Sequence, residues 1–419
     1  MVQKAARRWA MSLVMVMILG LAVGAQPGVA QSGCSTFEAT GKEVCFDFLE
    51  YWRLHGGLAQ QGYPITDSMH EISPTDGKLY MVQYFERAVF EMHPENDPPN
   101  NVLLSLLGAF KYKEKYAGGA PGQQPNNEAG SRLFAETGKR VGGKFLAYWQ
   151  DNGGLAQQGY PISEEFTEKS ELDGKEYRVQ YFERAVFEMH PENQPPYDVL
   201  LSQLGTLRRQ ERDGQTAEFK TEDGVSLVGS LYGKGKTAVI LSAMCSNTGK
   251  EDWTDFALLL KKRGYMALTY YYRGLKPSGG ARVVTKQDQD IAAAVQYVKS
   301  RGAERLVLVG ASCGGTISTL EATRTKVEGL VVIASPGTIE GMGASDDALK
   351  TVTAPKLFIS SEGDQWTGPM LELYDKMPTP KEKHVYPGSV HGTGLFYTEY
   401  GDDLTQRLIG FIEESAPVK

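Results

Sequence analysis

The chain has few of the residues that build metal centres, with four cysteines and six histidines among 419 residues. His93 and His190 are each followed by Pro-Glu, but neither has a second His or Cys at ligand spacing. A structural, hydrogen-bonding histidine is therefore expected at both positions, and no metal or cofactor is implied. Basic charge is also in short supply, since 44 Lys and Arg stand against 51 Asp and Glu for a net charge of −7. Phosphate binding needs a surplus of Lys and Arg, so nucleic acid is excluded as a partner class. No basic cluster points to a phosphate substrate. The chain also lacks a membrane-length apolar run: residues 11–23 fall short of the roughly twenty that a transmembrane helix needs.

What is present begins with a leader. Residues 1–30 carry Lys4, Arg7 and Arg8, then the apolar run, then small residues up to Gly28-Val29-Ala30. That order reads as a signal peptide with its cleavage site, and so as a secreted or extracytoplasmic protein, with cell-surface association as a further option. A retained N-terminal anchor is the alternative. Lipidation at Cys34 is disfavoured, because Gln31-Ser32-Gly33 lacks the usual aliphatic residue.

A repeat fills most of the first half. Residues 34–108 align without a gap on 131–205, and 48 of the 75 positions are identical. Each copy is expected to be a small α+β unit. In the first, a helix is expected over 41–55, then a turn at Gly62-Tyr63-Pro64 and a hairpin at Asp76-Gly77, with 82–92 as its longer strand. Residues 109–130 read as a linker, flexible through the Gly- and Pro-rich stretch 118–127. Cys34 and Cys45 lie in the first copy, and their equivalents in the second are Ser131 and Gly142. Two thiols present together and absent together predict a disulfide within one module. The identity of Gln83-Tyr84-Phe85-Glu86-Arg87 with 180–184 fits a binding surface, recent duplication or packing. The modules resemble tandem repeats of secreted bacterial proteins, a resemblance that implies no chemistry. A cell-surface or polymer ligand is their expected partner.

From about residue 214 the pattern changes. Apolar β-prone runs at 237–241, 266–269, 306–309, 330–334 and 357–360, with a weaker one at 384–386, alternate with segments of helical period. An antiparallel hairpin over 217–231 is expected at the sheet edge. The domains are thus expected at 1–30, 34–108, 109–130, 131–208 and 214–419. Within the last lies Gly310-Ala311-Ser312-Cys313-Gly314. Composition alone yields roughly 0.3 such matches by chance, so its setting decides. Here a buried strand runs into the motif and a helix runs out, the strand–turn–helix that exposes a nucleophilic serine. Ser312 needs a base. Of the two histidines in this domain, His384 falls inside a β-run, whereas His391 lies on the loop after it. The orienting acid should follow the preceding strand, which points to Asp364, with Glu362 in reserve. The order Ser312, Asp364, His391 suits this fold.

Residues 217–415 resemble small α/β-hydrolases of the dienelactone-hydrolase and serine-esterase type, through the elbow, Tyr272-Arg273-Gly274, Gly363-Asp364 and 388–392. The resemblance implies a mostly parallel sheet flanked by helices, and acyl transfer through an acyl-enzyme. Ser312 would attack, His391 would serve as base and then acid, and Asp364 would hold the imidazole tautomer. The family often carries His-Gly after the strand at 237–241, where this chain has Ser242-Ala243-Met244-Cys245-Ser246. Oxyanion-hole donors are backbone N–H groups, and are assigned to Cys313 and to Cys245 or Met244. Cys245 and Cys313 would then lie close enough for a disulfide, with two free buried thiols as the alternative. Only about twenty residues separate the strands at 330–334 and 357–360, too few for a helical cap, so an open site is expected. Tyr270, Tyr271, Tyr272, Trp366, Phe396 and Tyr397 are expected on loops near the nucleophile, as an aromatic pocket. The substrate would be a small ester or amide. A serine peptidase or amidase shares the triad, and a surface-binding protein with a weak hydrolase domain is the non-enzymatic alternative.

Overall fold

The computed structural model describes residues 33–245 and 249–418. The leader at 1–30 lies outside the described residues. Among those described, no helix is long and apolar enough to cross a membrane.

Each repeat copy folds as a short hairpin, two short helices and a four-stranded antiparallel sheet. In the first copy Cys34–Phe37 pairs with Lys42–Cys45, which places Cys34 directly opposite Cys45, and the two form a disulfide. The expected helix over 41–55 is therefore shorter, running Phe46–Leu54. Its first residues are drawn into the hairpin, whose partner strand has no helical signature to reveal it. The expected strand over 82–92 is likewise two strands, Leu79–Tyr84 and Val89–Met92, joined by a turn in which the Phe85 amide donates to the Ala88 carbonyl at 2.9 Å. The β-prone residues continue through that turn, which hides it. The repeated Gln-Tyr-Phe-Glu-Arg motif serves packing. The Gln83 amide donates to the Glu43 and Thr66 carbonyls, Phe85 is buried, and the Glu86 carboxylate accepts from the Tyr63 amide. His93 and His190 bond neighbouring glutamates and pack on Tyr80 and Tyr177, as structural histidines do.

The copies exchange their last helices. Helix α1 (Leu107–Lys115), which follows the first copy, packs on the second copy's sheet, and α2 (Leu204–Asp213) packs on the first. Lys115 pairs with Glu168 at 2.7 Å on one side, while Arg212 pairs with Glu71 at 3.0 Å on the other. Gly108 and Gly205 permit the approach, because a Cβ at either would strike the Phe182 or Phe85 carbonyl oxygen. Tyr80, Tyr84, Leu107, Tyr177, Tyr181 and Leu204 share one core. The expected boundaries at 108 and 208 thus cut through helices that complete the opposite copy. The stretch expected to be a flexible linker begins as α1, and its later part is tied down. The Gln124 amide donates to the Glu165 carbonyl at 2.8 Å, and Asn126 to the Glu165 carboxylate at 2.8 Å.

The remaining half is one mixed, mostly parallel sheet of eight strands. These are β1 (Gln215–Lys220), β2 (Ser226–Tyr232), β3 (Thr237–Ser242), β4 (Met266–Tyr270), β5 (Arg305–Ala311), β6 (Gly329–Ile333), β7 (Lys356–Ser361) and β8 (Lys381–Tyr386). Their order across the sheet is β1-β2-β4-β3-β5-β6-β7-β8, and β2 runs antiparallel to both neighbours. Successive strand residues face opposite sides, and Leu306, Val307, Leu308 and Val309 are all buried, so both faces are covered. The covering helices are α3 (Thr254–Lys262), α4 (Gln287–Ser300), α5 (Cys313–Ala322), α6 (Thr367–Lys376) and α7 (Gly401–Ser415). In α7, Leu404, Leu408, Phe411 and Ile412 are buried at helical spacing. Each such side chain contributes about 1.5–3 kcal/mol.

Arg212 also reaches Asp255 of α3 at 2.5 Å, so one buried guanidinium joins the first module to the sheet domain. Burial pushes the Glu71 carboxyl up, and Arg212 opposes that rise. Arg212→Met should cost about 3–5 kcal/mol in urea unfolding, because it strands a buried carboxylate. Adding Glu71→Gln should recover part of the loss.

Candidate active site

The site is built at the carboxyl ends of the central strands, where catalytic groups gather in open α/β sheets. Ser312 sits between β5 and α5 with φ +53° and ψ −123°, a conformation that L-residues rarely adopt. Its amide donates to the Ile333 carbonyl of β6 at 2.8 Å, which pins the turn to the neighbouring strand. Glycines on either side make room. A Cβ at Gly310 would strike the Gly314 backbone, and one at Gly314 would come within 2.5 Å of the Ala243 carbonyl oxygen. The motif's glycines thus answer to close backbone contacts between β5, α5 and the end of β3.

Asp364 and His391 are brought together by two loops laced side by side. The Glu362 amide donates to the Tyr386 carbonyl at 2.9 Å and the Gly363 amide to the Gly388 carbonyl at 2.7 Å. The Ser361 hydroxyl donates to the Val390 carbonyl at 2.6 Å. At the end of this lacing, His391 Nδ1 lies 2.7 Å from Asp364 Oδ2. The other oxygen, Oδ1, accepts the Trp366 amide at 2.9 Å. Asp364 is buried and fully engaged, whereas the reserve acid Glu362 is exposed. The next residue, Gly392, abuts Met244 and Ala311, its Cβ position lying 3.7 Å from the Ala311 Cβ, so the histidine loop rests against the serine turn. Among the described residues no hydrogen bond joins Ser312 to His391. Such bonds are often long without substrate and tighten when it binds.

The amides of Met244, Cys245 and Cys313 donate to no acceptor among the described residues. Cys313 opens α5, and Cys245 lies three residues past β3. Their sulfurs are bonded to each other, with Cα atoms 5.7 Å apart, so the alternative of two free thiols does not hold.

The aromatic pocket needs correction. Tyr270 is the last residue of β4 and fully buried, with its hydroxyl 3.2 Å from that of Ser242. Tyr272 is also buried and donates to the Ala243 carbonyl at 2.7 Å. Burial raises the pKa of both phenols, and this pair holds the chain that leads to Met244 rather than a ligand. Strand alternation turns Tyr271 the other way, onto Glu251 and Lys250. Phe396 packs on Trp253 and Phe256 and, with Tyr397, lines a cleft of about 270 Å³ shared with Ile72 of the first module. Only Trp366, half-buried at the start of α6, remains beside Asp364.

Sequence reasoning missed several supports. Arg273 is buried between Asp290 and Asp223 at 2.8 Å each. Thr393, two residues after His391, donates to Asp252 at 3.1 Å. Arg282 donates to the Cys245 carbonyl. The Tyr-Arg-Gly motif signalled the first, but nothing in the sequence signalled the others.

No family model and no curated relative matches the chain. Solved structures are similar over about half of it. An esterase from Pyrococcus furiosus is 18% identical, with a TM-score of 0.42 over 48% of this chain and 92% of its own. A bacterial membrane phospholipase A is 15% identical, with a TM-score of 0.43 over 50% and 89%. Proline iminopeptidase from Mycobacterium smegmatis is 14% identical, with a TM-score of 0.41 over 48% and 98%. All three are hydrolases, and likeness at this level says nothing of this chain's substrate.

A Ser312→Gly variant tests the strain at the elbow. Relief of the positive φ should outweigh glycine's greater unfolded-state freedom and raise stability by about 1 kcal/mol in thermal unfolding. A drop in stability would mean that the turn holds no strain.

Proposed function

We propose that this protein is an exported serine hydrolase that cleaves carboxylic esters through an acyl-enzyme. The observation that carries the reading is the bond of His391 Nδ1 to the buried Asp364, beside a serine held on a strained turn. With Asp364 ionised and accepting from Nδ1–H, Nε2 is left to take the Ser312 proton. The freed oxygen attacks the ester carbonyl carbon, and the carbonyl oxygen takes up negative charge. The amides of Cys313 and of Met244 or Cys245 receive that charge, helped by the N-terminus of α5. His391 then protonates the leaving alcohol, and water attacks the acyl-enzyme by the same route in reverse.

No helical cap stands between β6 and β7, where the intervening segment holds one short helix, Asp346–Leu349. An open site favours small or surface-exposed esters. Peptide or amide cleavage by the same triad is the second reading. The two disulfides favour export to an oxidising compartment. The paired modules would then serve placement, on a cell surface or a polymer.

Fluorophosphonate labelling and turnover of short-chain aryl esters test the assignment. Ser312→Ala should abolish both, and Asp364→Asn should lower kcat by roughly 10⁴-fold through the wrong imidazole tautomer. Labelling that survives Ser312→Ala would refute the nucleophile. Faster turnover of aryl amides than of matched esters would favour the second reading.

A further inference from the structure

The Cys245–Cys313 disulfide joins the helix that starts directly after Ser312 to the loop after β3, and the Cys313, Met244 and Cys245 amides donate to no acceptor among the described residues. Each segment is differently held. Cys313 is fully buried and stands on α5, directly after the pinned serine. Cys245 is half-buried on a loop that leaves the sheet at Ser242. The Tyr272 hydroxyl holds that loop as far as the Ala243 carbonyl. Beyond it, the amides of Met244 and Cys245 donate to nothing among the described residues, and the Cys245 backbone is held through its carbonyl by the exposed Arg282. Met244 packs under Gly392, and the covalent link to Cys313 ties the Cys245 end of the loop to α5.

We propose that this disulfide is a positioning element of the oxyanion hole, and that reducing it lowers turnover without weakening substrate binding. The inference rests on the hydrolase reading above. A dithiol carries out the reduction. One of its thiolates attacks Cys245 Sγ, the S–S bond breaks, and Cys313 leaves as a thiolate that takes up a proton. The second thiolate then closes the reductant into its own disulfide, and Cys245 leaves as a thiol. The loop end is freed, and the amide it presents drifts from the place where charge develops. A displacement of about 1 Å costs on the order of 10²-fold in rate, and loss of one oxyanion donor costs about 10²–10³-fold. Since that contact strengthens only in the transition state, kcat should fall and KM should hold.

The other disulfide must be removed from the comparison. The second module forms the equivalent hairpin, one pair shorter, with Ser131 and Gly142 just outside it where the first module has cysteines. A full-length Cys34→Ser, Cys45→Gly protein is therefore the background. In it, kcat and KM for an aryl ester are measured before and after treatment with dithiothreitol, with thiols counted by alkylation and mass. Thermal unfolding is followed in both states. The expected result is two new thiols, an intact cooperative transition, a fall of about 10²-fold in kcat, KM within about threefold, and recovery on reoxidation. Cys245→Ala with Cys313→Ala should match the reduced state. An unchanged kcat with both thiols free would overturn the proposal. A fall confined to kcat/KM through KM, or loss of the cooperative transition, would make the bridge a staple of the fold and overturn it equally. An oxidised protein with no Ser312-dependent turnover would instead overturn the hydrolase reading itself.

Discussion

The positive φ of Ser312 is the constraint on which the site depends. A serine with φ +53° persists only where its surroundings over-determine it. Here the amide is held by β6, and glycines at 310 and 314 let the strand, the helix and the end of β3 meet backbone to backbone. Those contacts bring the start of α5 beside the loop after β3. The Cys245–Cys313 bridge follows from that proximity. The strain thus sits at the turn between β5 and α5, where the start of the helix meets the end of β3.

The Asp364–His391 pair is supported differently. Asp364 and His391 stand on loops that continue β7 and β8 in parallel, and the ladder runs on past the strands through the amides of Glu362 and Gly363. Backbone hydrogen bonds thereby set the spacing of two side chains 27 residues apart. Both carboxylate oxygens of Asp364 are engaged, so its orientation is held from two sides. Gly392 then seats the histidine loop on Met244 and Ala311, which links this pair to the serine turn.

The modules illustrate a different economy. Each copy packs a core of its own under its first helix, but the other face of its sheet is covered by the helix that follows the other copy. The pairing resembles a domain-swapped dimer drawn into one polypeptide, with Gly108 and Gly205 at equivalent close contacts. The repeated motif is committed to holding the hairpins together, which leaves the outer surfaces to carry any binding. Arg212, on the exchanged helix α2, also reaches the sheet domain, as does Glu211 beside it.

The sequence by itself determined the parts that depend on local pattern. Parallel strands buried on both faces read as unbroken apolar runs, and the glycines of the elbow, the order of Ser312, Asp364 and His391, and the 97-residue repeat are visible in one dimension. The paired loss of two cysteines marked the Cys34–Cys45 bridge for the same reason. Tertiary structure alone decided the rest. The exchange of α1 and α2 is invisible because a helix follows each copy at the equivalent position, and nothing local says which sheet it covers. Tyr270 looked like a pocket residue because it follows an apolar run, but strand alternation and the Ser242 hydroxyl turn it into the core. The lacing by Ser361 and the grip of Arg282 on Cys245 join residues 29 and 37 positions apart through backbone carbonyls, which any residue supplies and no sequence pattern records.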